Sequence, residues 1–309
     1  MTEPVKPEMP ERAEPGETSA PRLFDETFLR RLDRLRLVTR RAQPGQLQGE
    51  RRSPKRGHSV EFVDYRPYVP GDDFRQIDWH VYARLERFFV KLFAEEEDVT
   101  VHLLVDASRS MAWGTPPKME MARKLAGALG YIALNGLDRV TALTFGGQAF
   151  TLPPRRGRWS ALALFSLLER ATPDGAVDFA ATMQRYAQTA RRPGPLLLIS
   201  DLLAPDWAEG LRALVARRFE VTVLHVLAPE ELDPSLRGDL RLRDSERDEI
   251  VEVTLDEQTV ARYRQAVEGW REEIQRWCAA RDVRYVFAPS HVTVEEAIFS
   301  LLVRQGIVR

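Results

Sequence analysis

The sequence predicts an α/β fold, a doubly wound, mostly parallel sheet of Rossmann type that carries a small N-terminal helix and strand-rich addition. Three observations predict it. After Glu97, short apolar, β-branched runs alternate several times with amphipathic stretches. Those runs are apolar at successive positions, as strands buried on both faces are. With 44% of 309 residues hydrophobic, the chain can bury one large core or two modest ones.

The elements follow in order. Residues 1–20 carry Pro4, Pro7, Pro10 and Pro15 with five glutamates and little apolar surface, so a disordered tail is expected. Residues 21–97 form the predicted N-terminal addition. A helix capped by Asp25 runs to about Arg41, with Phe28, Leu32, Leu35 and Leu37 on one broad face. Residues 21–60 hold 11 basic and 4 acidic side chains. Val60, Phe62 and Tyr65 then lead into a Pro70-Gly71 turn, and residues 88–93 give a second strand.

Residues 98–309 form the predicted α/β domain. Strands are expected at 99–105, 140–145, 149–152 (reached through a Gly146-Gly147 hairpin), 196–200, 221–226 and 284–287. Helices are expected at 118–133, 160–171, 179–189, 207–217, 257–280 and 292–304. The first of these is opened by Thr115 as cap and Pro116 in the first turn. A charged, alternating hairpin is inserted near 240–255.

Composition narrows the function. A net charge of −1 supplies no global field for nucleic acid or anionic membrane. Local attraction, including peripheral membrane association, is left to the arginines between Arg30 and Arg56. The single cysteine, Cys278, excludes an internal disulfide and every CxxC motif; it is expected as a buried helix residue. The purest apolar run, 196–199, is far too short to span a bilayer. A cytoplasmic chain without a transmembrane segment is therefore expected. The phosphate loop, the dinucleotide fingerprint, the zincin motif and the nucleophile elbow are all missing from the sequence, so an enzyme is not expected.

The most informative segment is Asp106-Ala107-Ser108-Arg109-Ser110, directly after the first buried strand. Ligands in open α/β sheets gather beyond the carboxyl ends of the strands. Asp106, Ser108 and Ser110 alternate and can converge there, and Asp201 ends a later strand. One or two carboxylates with two hydroxyls are hard ligands suited to Mg²⁺ or Mn²⁺ retaining waters, not to zinc. Asp178, in the loop over 174–178, is a further candidate ligand. The competing expectation is that Asp106 and Ser108 merely cap the following turn. His102 and His225, inside strands, are expected as satisfied core residues. The cluster of Asp72, Asp73, Asp78 and His80 is expected to be a turn and ion-pair network neutralised by Arg66, Arg75 and Arg84, rather than a proton-transfer site.

These residues amount to a resemblance. Asp106-x-Ser108-x-Ser110 with Asp201 resembles the metal-ion-dependent adhesion site of von Willebrand factor A (vWA) domains. The series Gly57, Glu61-Phe62, Arg66-x-Tyr68-x-Pro70-Gly71-Asp72-Asp73-x-Arg75-x-Ile77-Asp78-Trp79, Ala83-Arg84, Lys91 and the Asp106 motif resembles the bacterial "domain of unknown function 58" family, whose core is vWA-like. That resemblance implies a partner of a MoxR-type AAA+ ATPase, acting as an adaptor or chaperone-like assistant in the maturation of other proteins. It also implies a metal whose open position is filled by a partner's Asp or Glu. Where the family pattern has a threonine, this chain has Val177, which cannot coordinate, so either Asp178 or a water compensates or the metal is held weakly. A Mg²⁺- or Mn²⁺-dependent hydrolase, and anion or nucleic-acid binding through the arginine-rich patch, are the competing functions.

Overall fold

The computed structural model describes residues 23–38, 62–93, 99–235, 238–243 and 250–309. The predicted tail over 1–20, the end of the first predicted helix and the basic run over 51–57 lie outside the described residues.

Helix α1 (Glu26–Leu32) begins where Asp25 accepts the Phe28 N–H at 2.6 Å. It ends well before Arg41, which corrects the predicted length. Leu35 and Leu37 both pack on the core, and a two-residue spacing does that in extended chain, not in a helix. Arg36 and Arg309 exchange two backbone hydrogen bonds, and Leu37 pairs with Val308. Phe28 and Leu32 are buried in the core of the large sheet. Helix α1 thus belongs to that core and not to the strand-rich unit with which the sequence grouped it.

That unit pairs β1 (Phe62–Pro67) with β2 (Phe89–Phe93) antiparallel, around a 3-10 turn (Phe74–Gln76) and α2 (Trp79–Leu85). Of its described side chains only Asp78 and Val90 are buried.

The remaining chain contains β3 (Thr100–Ala107), α3 (Lys118–Asn135), β4 (Arg139–Gly146), β5 (Thr151–Arg156), α4 (Ala161–Arg170), α5 (Phe179–Thr189) and β6 (Pro195–Ser200). After these come α6 (Trp207–Ala216), β7 (Glu220–His225), α7 (Pro229–Leu232), the hairpin β8 (Gly238–Arg243) and β9 (Ile250–Leu255), α8 (Glu257–Ala279) and β10 (Arg284–Phe287). Helix α9 (Val294–Glu296) continues as a π-turn over Ala297–Leu302. The six-stranded sheet has the order β10-β7-β6-β3-β4-β5, parallel except for the edge pair β4 and β5. The fold is therefore mixed α/β with a mostly parallel central sheet.

Both faces are covered. Val101, Leu103, Val105 and Ala107 of β3 face one core with α1, α3 and α4, while Leu104 joins a second with α5, α6 and α8. Strand β5 is longer than predicted. Helix α3 starts at Lys118, where its predicted range begins, but without the expected side-chain cap from Thr115. The reason is local: the Lys118 N–H is taken by the Trp113 carbonyl at 3.0 Å, which closes a turn before the helix begins. From β3 the chain moves outward to β4, whereas β6 lies on the other side of β3. The topological switch point thus falls between β3 and β6, and an open α/β sheet places its ligand beyond the carboxyl ends of such a pair.

Candidate functional site

Strands β3 and β6 end side by side, with Val105 registered against Ile199. Asp106 and Asp201 therefore leave the sheet as neighbours. Asp106 is 2% exposed and Asp201 2% exposed, which is costly for two carboxylates unless donors hold them. Each has such donors. Asp106 Oδ1 accepts the Ser108 N–H at 2.9 Å, and Oδ2 accepts the Ser200 hydroxyl at 2.6 Å. Asp201 Oδ2 accepts the Lys118 ammonium at 2.7 Å, and Oδ1 accepts the Leu203 N–H at 3.2 Å.

The two serines complete the cluster. Ser108 Oγ and Ser110 Oγ stand 3.1 Å apart, both buried. Ser108 precedes the 3-10 turn Arg109–Ala112 but makes no side-chain cap bond to it. The capping expectation thus holds for Asp106, which braces the Ser108 N–H, and not for the serine hydroxyls. Backbone approach is equally tight. Gly146 has φ +112, and a Cβ there would come within 2.3 Å of the Ser108 nitrogen, so only glycine lets β4 close on this loop.

Lys118 and Glu231 were not singled out from the sequence. The Lys118 side chain is wholly buried and forms ion pairs with both Asp201 and Glu231. Glu231 reaches back to accept the Ala228 N–H at 2.8 Å. Burial alone would lower the Lys118 ammonium, but the two carboxylates outweigh it and hold it above its usual range. His225 closes the outer layer, with Nε2 2.9 Å from the Asp201 carbonyl and Nδ1 2.7 Å from the Tyr285 hydroxyl. It is a satisfied core histidine. His102 is only half so: Nδ1 meets the Tyr186 hydroxyl at 2.7 Å, while Nε2 has no hydrogen-bond partner.

Electrostatics single out Asp106. Burial first, and then repulsion from Asp201, push its carboxyl up to about 7, against the hydrogen bonds from Ser200 and Ser108. Of the three carboxylates gathered here, Asp201 and Glu231 share the Lys118 ammonium, while Asp106 faces Asp201. When all are ionised this leaves two negative charges, which a divalent cation would balance. The donor set of carboxylate and hydroxyl oxygens fits a hard ion such as Mg²⁺ or Mn²⁺. Among the described residues no group of three or more His, Cys, Asp or Glu side chains could hold a metal, so any ion here depends on the serines and on water.

Asp178 is not brought into this cluster. It caps α5, its Oδ1 accepting the Ala181 N–H at 2.8 Å. Val177 packs against the α5 and α6 core. The neighbouring loop does approach: Asp174 N–H donates to the Ala107 carbonyl at 3.0 Å, and Arg109 N–H to the Gly175 carbonyl at 2.9 Å.

Residues 64–273 match the family model described as "Protein of unknown function DUF58". The chain belongs to the DUF58 family. Curated relatives include an uncharacterized protein of Mycobacterium tuberculosis, Rv1480, 30% identical over 249 residues that cover 78% of each chain. Another is an uncharacterized protein of Mycobacterium avium, MAV169, 31% identical over 143 residues, 45% of this chain and 80% of that one. Among solved structures, BatB from Bacteroides thetaiotaomicron is similar with a TM-score of 0.42 and 18% identity, over 67% of this chain and 98% of that chain. An aerotolerance-related membrane protein from Bacteroides fragilis has a TM-score of 0.40 and 19% identity, over 67% and 99%.

The DUF58 match takes in the small unit, where the predicted network is only partly present. Arg66 pairs with Asp72 at 2.9 Å, and Asp72 also accepts the Val69 N–H. Asp73 caps the 3-10 turn and Asp78 caps α2 while accepting the Tyr65 hydroxyl at 2.8 Å. Gly71 turns the chain at φ +108. Arg75 and Arg84 form no ion pair with these aspartates; Arg75 lies over the Phe74 ring instead, which corrects their predicted neutralising role. Trp79 is exposed, and Tyr68 packs edge-on to Phe88. In DUF58 terms this is a turn-and-cap scaffold remote in chemistry from the Asp106 cluster. Among the described residues no helix is long and apolar enough to cross a membrane.

Proposed function

We propose that the chain is a vWA-like, metal-dependent protein-interaction module that works as an adaptor or chaperone-like partner of a MoxR-type AAA+ ATPase. The observation that carries this is the meeting of Asp106, Ser108, Ser110 and Asp201 at the carboxyl ends of β3 and β6, each carboxylate held by fixed donors. Ser108 and Ser110 would hold Mg²⁺ or Mn²⁺ through their hydroxyls, with Asp106 and Asp201 balancing its charge directly or through water. When bound, the ion supplies an open coordination position for an incoming carboxylate. The chain's own residues orient that position: Ser200 fixes Asp106, Lys118 fixes Asp201, and Gly146 lets the serine loop pack close.

A hydrolase is the weaker reading. The cluster has no nucleophile beside a histidine base, and a carboxyl raised to about 7 is accounted for by burial next to Asp201. Capture of the cognate MoxR-type ATPase by the full chain tests the proposal. Binding should need Mg²⁺ and fall with chelator and with Asp106→Ala. Equal capture of wild type and variant in excess chelator removes the metal from the mechanism. A screen of phosphoester and peptide substrates with Mn²⁺ tests the alternative, which requires turnover that disappears in Asp106→Ala.

A further inference from the structure

We infer that the cavity at the amino ends of β3 and β4 is a binding site for a small phosphate ester, held by Arg191 and Arg192 and by hydroxyl groups of the surrounding strands and helix. It lies at the opposite end of the sheet from the Asp106 cluster and stands whether or not that cluster holds a metal. The cavity measures about 810 Å³ and is bounded by the starts of β3 and β4, by β5, and by the C-terminal end of α5 with the loop that follows it. That volume suits a small organic ligand and is far more than an inorganic anion fills. Arg139, Arg191 and Arg192 line it together with the hydroxyl residues Thr141, Thr151 and Tyr186. Among the described residues no carboxylate lines it, so its charge is complementary to an anion.

The backbone brings these groups together. Gly194 packs so closely on the start of β3 that a Cβ there would lie 2.3 Å from the Thr100 carbonyl, so glycine is what lets the Arg191-Arg192 loop lie against that strand. Both arginines are exposed, and neither pairs with a carboxylate among the described residues. Two neighbouring guanidinium groups that line one cavity repel each other. An oxyanion between them removes that repulsion, and each planar fork presents the parallel N–H donors that match a phosphate.

His102 is a second sign that a polar occupant belongs here. It lines the same cavity and is 4% exposed. Its Nδ1 meets the Tyr186 hydroxyl, yet its Nε2 is buried with no partner, and such orphans are rare enough in native proteins to need a reason. Burial lowers the imidazole to about 4, with the Arg192 carbonyl pulling the other way. The ring is therefore neutral and has a hydrogen bond to offer, while the arginines supply the charge. Thr141, registered against His102 in the sheet, already donates to the Leu152 carbonyl at 2.8 Å, which leaves its oxygen to accept from a ligand hydroxyl. The occupant thus has two parts: a phosphate for the arginines and a small hydroxyl-bearing body, as in a sugar phosphate, for the threonines and the histidine.

The test titrates the full chain with ribose 5-phosphate, inorganic phosphate and ribose by isothermal titration calorimetry, in EDTA so that no metal ion at Asp106 contributes. Ribose 5-phosphate should bind about tenfold more tightly than inorganic phosphate, and ribose should not bind. Arg191→Gln and Arg192→Gln should each weaken the ester about tenfold, as loss of one charge-assisted pair would. Thr151→Val should weaken the ester several-fold and leave inorganic phosphate unchanged. All three side chains are exposed, so the fold should persist, which circular dichroism checks. No binding of ribose 5-phosphate, equal affinity for the ester and inorganic phosphate, or unchanged affinity in both arginine variants overturns the inference. Glu95, Glu96, Glu97 and Asp98 precede β3 outside the described residues. Ester binding that appears only when these four are changed to their amides would assign the arginines to the chain's own carboxylates, and overturns it equally.

Discussion

Asp106→Asn should stabilise the metal-free protein at pH 8 while abolishing its response to Mg²⁺. The wild-type carboxyl is pushed from 3.8 up to about 7 by burial and by Asp201. For an acid, a raised folded value means stability that is present below the unfolded value and lost as pH rises through the folded one. The shift corresponds to about 4 kcal/mol lost by pH 8, at 1.36 kcal/mol per unit. Asparagine keeps an acceptor for the Ser108 N–H and removes the charge, but the charge-assisted hydrogen bond from Ser200 is weakened by about 1–2 kcal/mol. The net gain is then about 2–3 kcal/mol, or roughly 4–10 °C in Tm for a domain of this size. The assay is thermal unfolding by circular dichroism in EDTA across pH 4 to 8, repeated with Mg²⁺. The variant's advantage should shrink as pH falls toward 4, and Mg²⁺ should raise the Tm of wild type alone. A variant less stable than wild type in EDTA at pH 8, or one that Mg²⁺ stabilises equally, refutes the reasoning.

Other expectations follow from the same geometry. Lys118→Met leaves Asp201 and Glu231 without their buried ammonium and should cost about 3–5 kcal/mol, read as a fall in the urea midpoint at unchanged m value; a loss below 1 kcal/mol would mean the pair is dispensable. Gly146→Ala, which puts a Cβ against the Ser108 nitrogen, should lower Tm and weaken Mn²⁺ binding together; loss of one without the other separates packing from the site. His102, whose imidazole burial lowers to about 4, is neutral in the fold, so its stabilising effect is full above pH 6.5 and is lost as pH falls toward 4, by at most about 3 kcal/mol. His102→Asn should reduce that acid loss relative to wild type, measured by urea unfolding at pH 7 and pH 5; an unchanged difference would place the acid sensitivity elsewhere.

Much of the sheet was legible because buried parallel strands announce themselves locally. The runs before Asp106 and Ser200 are apolar over Leu103–Val105 and Leu196–Ile199, and a strand's carboxyl end is where an α/β site lies. What escaped was tertiary. Lys118 is one of five lysines in the chain, and its place at a helix start gave only a local meaning. Its second partner, Glu231, lies 113 residues away, and no sequence spacing encodes that meeting. Ser200 was visible only as the end of a strand, although it holds Asp106. Helix α1 was overextended because Leu35 and Leu37 fit a broad helical face as well as an extended segment, and the deciding partner, Val308, is at the far end of the chain. Asp178 looked available as an oxygen ligand, yet its carboxylate is spent on capping α5. The charge pattern around Asp72 suggested pairing for three arginines, and only Arg66 has the reach and direction to make it.

The most direct measurement is a Mn²⁺ titration of the full chain, read by electron paramagnetic resonance, for wild type, Asp106→Ala and the double variant Ser108→Ala/Ser110→Ala, with Mg²⁺ as competitor. A metal-dependent interaction module should bind one Mn²⁺ per chain, displaced by Mg²⁺, with binding lost in both variants. Absence of binding by the wild type, or equal binding by all three proteins, would contradict it.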